Sequence, residues 1–231
     1  MNVVVMPAYR AARTVEKTVV AMPPIYDKII LCDDGSLDDT AAVAEHLGLW
    51  VMRHERNRGY GANQKTLYDA ALNLNPSVVI MVHPDNQYDT SMLSQAVALV
   101  EKGTADVVLG TRMETAIKNG MPRWKRYGNA LLSSLERSVF QNSLSEFHSG
   151  LRIMRADLLK QIPYHNFSDD FVFDSQFLAW CFGHHRMVAE IPTQCWYTHE
   201  ASSINFRRSV MYGLCTVAVM GEYLLTTRYS R

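Results

Sequence analysis

The sequence predicts an α/β fold with a mostly parallel central sheet and helices on both faces. Three observations carry this. Short apolar runs rich in β-branched residues recur at 3–6, 29–32, 49–52, 78–82 and 107–109, each with the length and composition of a buried strand. Segments of helical character separate them at 14–22, 40–47, 62–74 and 91–101. Polar clusters follow the first, second and fourth runs, at the strand ends where open sheets of this kind bind ligands.

Taken in order, the first run ends in Pro7-Ala-Tyr9, which offers a rigid corner and an aromatic face. The second ends in Asp33-Asp-Gly-Ser36, and Asp38 and Asp39 supply caps for the helix at 40–47. The third leads into Asn57-Arg-Gly-Tyr-Gly61, whose glycines permit a tight turn into the next helix. The fourth opens onto Met81-Val-His-Pro-Asp-Asn-Gln-Tyr-Asp89. If the backbone stays extended past Val82, His83, Asp85 and Gln87 project the same way; the alternative is a polar turn over Pro84, Asp85 and Asn86. Such β-α alternation implies right-handed crossovers between parallel strands. After residue 110 the pattern loosens into a loop at 111–121, followed by a helix over 124–140. No linker, repeat or low-complexity segment divides the chain, so residues 1–231 read as a single domain. Within it, 204–231 form an apolar C-terminal helix flanked by arginines. Too short for a span and carrying Glu222, it reads as membrane-interfacial, or as a buried core or oligomer helix.

Composition narrows the function. The chain has 231 residues, 48% of them hydrophobic, enough for a substantial core. Lys plus Arg (23) equals Asp plus Glu (23), so no global field attracts nucleic acid, and anion binding must come from local clusters. Four widely spaced cysteines without a CxxC pair favour reduced thiols over a zinc site or disulfides. The apolar N-terminal start lacks the layout of a signal peptide, and a cytoplasmic setting is expected.

Several clusters admit two readings. The carboxylates at 33 and 34 can take hydrogen bonds from a ribose or base, or simply form a turn and cap. Asn57-Arg-Gly-Tyr-Gly61 matches neither a dinucleotide fingerprint nor a P-loop; Arg58 reaches a phosphate or pairs with a surface carboxylate. Arg123, Lys125 and Arg126 clamp phosphate or cover a solvated helix face. In Ser168-Asp-Asp-Phe-Val-Phe-Asp174, Asp169 and Asp170 can cap a helix, whereas Asp174 sits in apolar surroundings that favour a functional role.

Met6-Pro-Ala-Tyr9, Cys32-Asp-Asp-Gly-Ser36, Asn57-Arg-Gly-Tyr-Gly61, Asp85 with Gln87, Val107-Val-Leu-Gly-Thr-Arg112 and Ser149-Gly-Leu-Arg152 occur in the order seen in family 2 glycosyltransferases. Over roughly residues 2–210 the chain resembles the polyprenyl-phosphate sugar transferases of the dolichyl-phosphate mannosyltransferase type. The resemblance implies a GT-A fold, a UDP- or GDP-sugar donor, Mg2+ or Mn2+, and a lipid phosphate acceptor met at a membrane surface. It implies that Pro7, Ala8, Tyr9, Asp33 and Asp34, with Arg58, His83 and Asp85, bind the nucleotide. Asp85 and Gln87 would hold the metal, and Asp85, Arg112 and Asp174 would form the catalytic set. Arg123, Arg126, His148, Ser149 and Arg152 would face the acceptor or phosphate.

Two departures stand out. His83 replaces an aspartate of the family's Asp-rich form, and Glu146-Phe-His-Ser-Gly150 replaces Asp-Thr-Gln-Ser-Gly. His83 either joins the metal and tilts preference toward manganese, or stays outside and hydrogen-bonds phosphate or ribose. A lipid phosphate acceptor needs no base, whereas a hydroxyl acceptor does, with Asp170, Asp174, Glu146 and His148 as candidates. A nucleotide-sugar binding protein without turnover is the reading from another class.

Overall fold

The computed structural model describes residues 1–113, 118–197 and 206–228. Within the expected 111–121 loop, 114–117 lie outside the described residues, as do 204–205 and 229–231 of the C-terminal segment.

In chain order the elements are β1 (Asn2–Ala8), α1 (Val15–Ala21), β2 (Lys28–Asp33), α2 (Thr40–His46), β3 (Trp50–Arg53), α3 (Tyr60–Leu72) and β4 (Val78–Met81). There follow α4 (Leu93–Glu101), β5 (Val107–Thr111), α5 (Arg123–Phe140), β6 (Arg152–Arg155), α6 (Ala156–Leu159), α7 (Phe173–Gly183), β7 (Val188–Pro192) and α8 (Phe206–Arg228). The strands form one sheet in the order β3-β2-β1-β4-β6-β5-β7. Its pairs are parallel except β4–β6 and β5–β6, since β6 runs against both neighbours.

Alternation along the strands divides the core in two. Val3, Val5, Ile30, Cys32, Val79 and Met81 pack on one face of the sheet, against α3, α6 and α7. Val4, Met6, Leu31, Ile80 and Val82 pack on the other, against α1 and α4. Period-2 side-chain alternation lets a continuous apolar run feed both layers, so polar residues in β1 and β2 stand only at the strand ends, at Asn2, Lys28 and Asp33.

The β1–β2 pairing runs from Val3 beside Lys28 to Ala8 beside Asp33, so the two strands end level. β1 has β2 on one side and β4 on the other, and a crevice opens beyond their carboxyl ends at this reversal of strand order.

Beyond β4 the chain does not stay extended. It turns over Pro84–Asp85, with Asn86 at φ 53°, so the polar-turn alternative describes the backbone. The turn is pinned by Asn86 N donating to Thr18 Oγ1 at 3.0 Å.

α8 falls within the expected 204–231, but its apolar stretch is not too short for a span. Arg207–Thr226 has the length and composition to cross a membrane, and only 17% of its most apolar window is buried in the protein.

Candidate functional site

A cavity of about 510 Å³ lies beyond the end of β4. Its floor is polar, with His83, Asp85, Gln87, Arg112, His148 and Asp174. Its wall is apolar and comes from α5 (Trp124, Leu131, Leu135) and α8 (Val210, Leu214, Val217). A smaller recess of about 30 Å³ adjoins it, lined by Pro7, Tyr9, Arg10, Ala11 and Thr14 together with His83, Pro84 and Asp85. His83 and Asp85 therefore separate the two spaces and face both.

The recess is held open by the ends of β1 and β2. Asp33 Oδ1 accepts from the backbone N–H of Ser36 at 3.2 Å and from its hydroxyl, and Ser36 Oγ accepts from Arg10 N at 2.8 Å. Tyr9 is 43% exposed at the rim, beneath the Arg10 guanidinium 5.1 Å from its ring centre. Asp34 is buried and occupied: it accepts from His54 Nδ1 at 2.6 Å, Arg58 N at 2.9 Å and Gly59 N at 3.0 Å. Its carboxylate orders the 57–61 loop. Neither Asp33 nor Asp34 is on the recess wall, and the Arg58 residue is exposed.

The glycines of that loop serve close approach. Gly59 has φ 105°, and a side chain there would collide with the Asp169 carbonyl; one at Gly61 would collide with the Ser168 carbonyl. The Asp169 carbonyl accepts from Gly61 N at 2.8 Å and Ala62 N at 3.2 Å, capping the start of α3. Asp169 also pairs with Lys65 at 2.7 Å, so its role here is structural.

The Asp85 carboxylate is nearly buried, and its Oδ1 accepts from Gln87 N at 3.2 Å. Burial pushes its pKa up, opposed by His83 and Arg112. Burial holds the His83 imidazole below its ordinary value, against the pull of Asp85 and Asp174. Gln87 Oε1 accepts from the Cys195 thiol at 3.8 Å, a weak partner. A carboxylate oxygen and a carboxamide oxygen on one turn suit a hard divalent cation. No cluster of three or more His, Cys, Asp or Glu able to hold a metal occurs among the described residues, so a cation here needs the oxygens of a ligand to complete its shell.

Arg112 is fixed on every side. Its Nε donates to Glu146 Oε1 at 2.7 Å, its guanidinium to Tyr88 Oη at 3.2 Å and to the His148 carbonyl at 2.7 Å, and its backbone N–H to Glu146 Oε2 at 3.0 Å. Burial, the largest single influence, favours the neutral form, but Glu146 together with Tyr88, Tyr197 and Cys195 raises the value well above that of an ordinary guanidinium. Glu146 thus acts as the counter-ion of Arg112 and is fully buried.

Asp174, in the first turn of α7, accepts from Gln64 Nε2 at 2.9 Å, Arg152 at 3.0 Å and Tyr60 Oη at 3.2 Å. Tyr60 Oη also lies 2.9 Å from His83 Nε2, which completes a chain from Arg152 to the cavity.

Of the expected acceptor set, His148 lines the cavity. Ser149 does not; its hydroxyl donates to the Gly110 carbonyl. Arg152 lies fully buried beneath Asp174, and Arg123 and Arg126 are absent from the wall, where Lys125 stands instead.

Sequence reasoning missed Tyr60, Gln64, Tyr88, Glu136 and Tyr212. Glu136 of α5 lies 2.9 Å from His148 Nε2, and Tyr212 of α8 lies 2.7 Å from His148 Nδ1. Glu136 carried a signal: a carboxylate on an otherwise apolar helix face needs a buried partner.

Comparison with known proteins decides the family. The model of Glycosyl transferase family 2 matches residues 3–163, more than half of the chain. The chain belongs to glycosyl transferase family 2. It is 30% identical over 203 residues to an uncharacterized protein of Methanocaldococcus jannaschii, covering 87% of this chain and 83% of the relative. It is 23% identical to the UDP-N-acetylglucosamine–dolichyl-phosphate N-acetylglucosaminyltransferase of Methanococcus voltae, covering 84% and 85%. It is 28% identical to the dolichyl-phosphate hexose transferase of Haloferax volcanii, covering 70% and 69%. The fold matches glucosyl-3-phosphoglycerate synthase from Mycobacterium tuberculosis, solved with Mn2+, UDP and glucosyl-3-phosphoglycerate, at TM-score 0.73 and 15% identity, covering 96% of this chain and 79% of that one. This family 2 enzyme therefore has the GT-A architecture that the motif order implied.

Proposed function

We propose that this glycosyltransferase uses a divalent cation to move a sugar, with inversion, from a UDP- or GDP-sugar to a polyprenyl phosphate of the dolichyl or undecaprenyl kind. One observation carries the reading: a single cavity joins a polar floor at His83, Asp85 and Arg112 to an apolar wall on α5 and α8. An anionic headgroup on a hydrocarbon chain is the ligand that such a cavity suits. The relatives named for dolichyl-phosphate transfer support it.

The nucleoside lies against Pro7 and Tyr9 over the shallow recess, which is too small to enclose it, with Ala8, Asp33 and Asp34 supporting the strand ends from behind. Asp85 and Gln87 hold Mg2+ or Mn2+, which supplies charge compensation to the diphosphate. Phosphate oxygen of the acceptor attacks the anomeric carbon from the face opposite the nucleotide. The bond from that carbon to the diphosphate breaks, and its electron pair leaves with the nucleoside diphosphate. Positive charge develops on the sugar ring in the process. The acceptor is already anionic, so no base is required. Arg112, held by Glu146 and presented to the cavity, binds the acceptor phosphate or the departing diphosphate, and Lys125 adds a second cation.

Exposed Leu131, Leu214 and Leu225 extend the apolar wall to the surface, and Arg123, Arg207 and Arg208 are exposed on the same two helices. This pattern suits contact with the cytoplasmic face of an anionic membrane. A second reading, transfer to a glycan or small-molecule hydroxyl, is favoured by Asp174, whose carboxylate lines the same cavity.

Thermal-shift titration with UDP, GDP and their sugars, with and without Mn2+, tests the donor half, since a ligand of the native state raises the melting temperature. Cation-dependent stabilisation by one nucleotide series is expected. Stabilisation by none of them contradicts the proposal. Pelleting with anionic liposomes at low salt tests the membrane half, and a protein left wholly in the supernatant contradicts it.

A further inference from the structure

We propose that His83 supplies a nitrogen ligand, through Nδ1, to the divalent cation of the donor site. The inference rests on the cation-dependent reading above and goes beyond it in naming a residue that departs from the family's carboxylate.

We assign the tautomer from the hydrogen bonds around Tyr60. The Asp174 carboxylate, paired with Arg152 at 3.0 Å, can only accept, so the single phenolic proton of Tyr60 is donated to its Oδ2 at 3.2 Å. The 2.9 Å contact between Tyr60 Oη and His83 Nε2 then needs its proton from the histidine. With the phenolic proton assigned to Asp174, His83 carries its own proton on Nε2 and its lone pair on Nδ1. That nitrogen has no hydrogen-bond partner among the described residues. A lone pair cannot bond a phosphate oxygen, which also only accepts, and beside a diphosphate it is repelled unless a cation stands between them.

The ring is also aimed. Tyr60 meets it edge-on with centroids 5.4 Å apart, and Gly150 leaves room for it: a Cβ at 150 would lie 2.7 Å from His83 Cε1 and 3.0 Å from Nδ1. His83 and Asp85 border the same two spaces, so the imidazole and the carboxylate provide a nitrogen and an oxygen donor on one short turn. A metal-bound histidine whose other nitrogen donates to an acceptor linked to a carboxylate is the usual support for such a ligand. An imidazole ligand favours manganese over magnesium, because magnesium is the harder ion.

The test is pulsed electron paramagnetic resonance of Mn2+ bound to the full chain with UDP or GDP, using protein labelled with 15N-histidine. A directly coordinated 15N coupling is expected, and it is absent in His83→Asp, which still binds Mn2+ but gains at least about tenfold in affinity for Mg2+ relative to Mn2+. Tyr60→Phe frees the tautomer and is expected to weaken Mn2+ binding by about 10-fold or more while leaving Asp85 intact. Mn2+ bound without histidine coupling overturns this inference alone, as does a coupling that survives in His83→Asp. Failure of Mn2+ to bind with either nucleotide overturns the inference together with the cation-dependent reading.

Discussion

His83 packs against Gly150 so closely that a single methyl group at position 150 would lie 2.7 Å from its ring. Gly150 is thus a packing requirement of the cavity wall at His83. Gly150→Ala is expected to displace the imidazole or its supporting turn, at about 1–3 kcal/mol of stability, and to lower activity more than tenfold. Circular dichroism melting and initial rates check this; Gly221→Ala, which meets open space away from the cavity, serves as the control.

Tyr212 ties the apolar helix α8 to the site. Its hydroxyl bridges His148 Nδ1 at 2.7 Å and Ser175 Oγ at 3.2 Å, and the His148 carbonyl in turn holds Arg112. Tyr212→Phe leaves buried polar groups short of a partner, a cost of about 1–3 kcal/mol. Acceptor KM is expected to rise and nucleotide affinity to stay unchanged. Equal losses in both would contradict a role confined to the acceptor side.

Asp174→Asn is a poor probe of a catalytic base, because Asp174 neutralises the fully buried Arg152. Removing one partner of a buried pair costs about 3–5 kcal/mol. The expected result is a large fall in melting temperature along with activity. Gln64→Leu removes one neighbour of Asp174 but keeps its charge, and on the lipid-phosphate reading it retains most turnover per folded molecule.

Burial pushes the thiols of Cys32 and Cys181 up to about 12 and that of Cys195 to about 11. Cys215 on α8 is half-buried. At pH 8, labelling with a thiol reagent is expected at Cys215 alone, and anionic liposomes are expected to protect it. The three raised values also set an alkaline limit. Unfolded thiols ionise around the ordinary 9.0 whereas the folded ones stay protonated, so their contribution to stability is full below that value and is lost between pH 9 and about 12. Denaturant melts across that range check the sign.

The parallel half of the sheet was legible because its strands are unbroken apolar runs, and the expected ends fall within two residues of those observed. β6 and β7 were not. β6 offers only Ile153 and Met154 between two arginines, and Arg152 enters the core only because Asp174, 22 residues later, neutralises it. β7 is an edge strand with Glu190 in its middle. The polar cluster after β4 was legible as a cluster, and of the two backbones considered for it the polar turn is the one observed. Asn86 at positive φ turns the chain, and His83, Asp85 and Gln87 still meet at one cavity. The Tyr60–Asp174 contact joins residues 114 apart in sequence, and no local pattern announces it.

The most direct measurement incubates the purified protein with Mn2+ or Mg2+, each radiolabelled UDP- or GDP-sugar and a short polyprenyl phosphate, then follows label into the organic phase. The account predicts a lipid-phosphate-linked sugar of inverted anomeric configuration, formed with one nucleotide-sugar and abolished by chelation or by Asp85→Asn. Label that reaches only water or a sugar hydroxyl, or a lipid product of retained configuration, would contradict it.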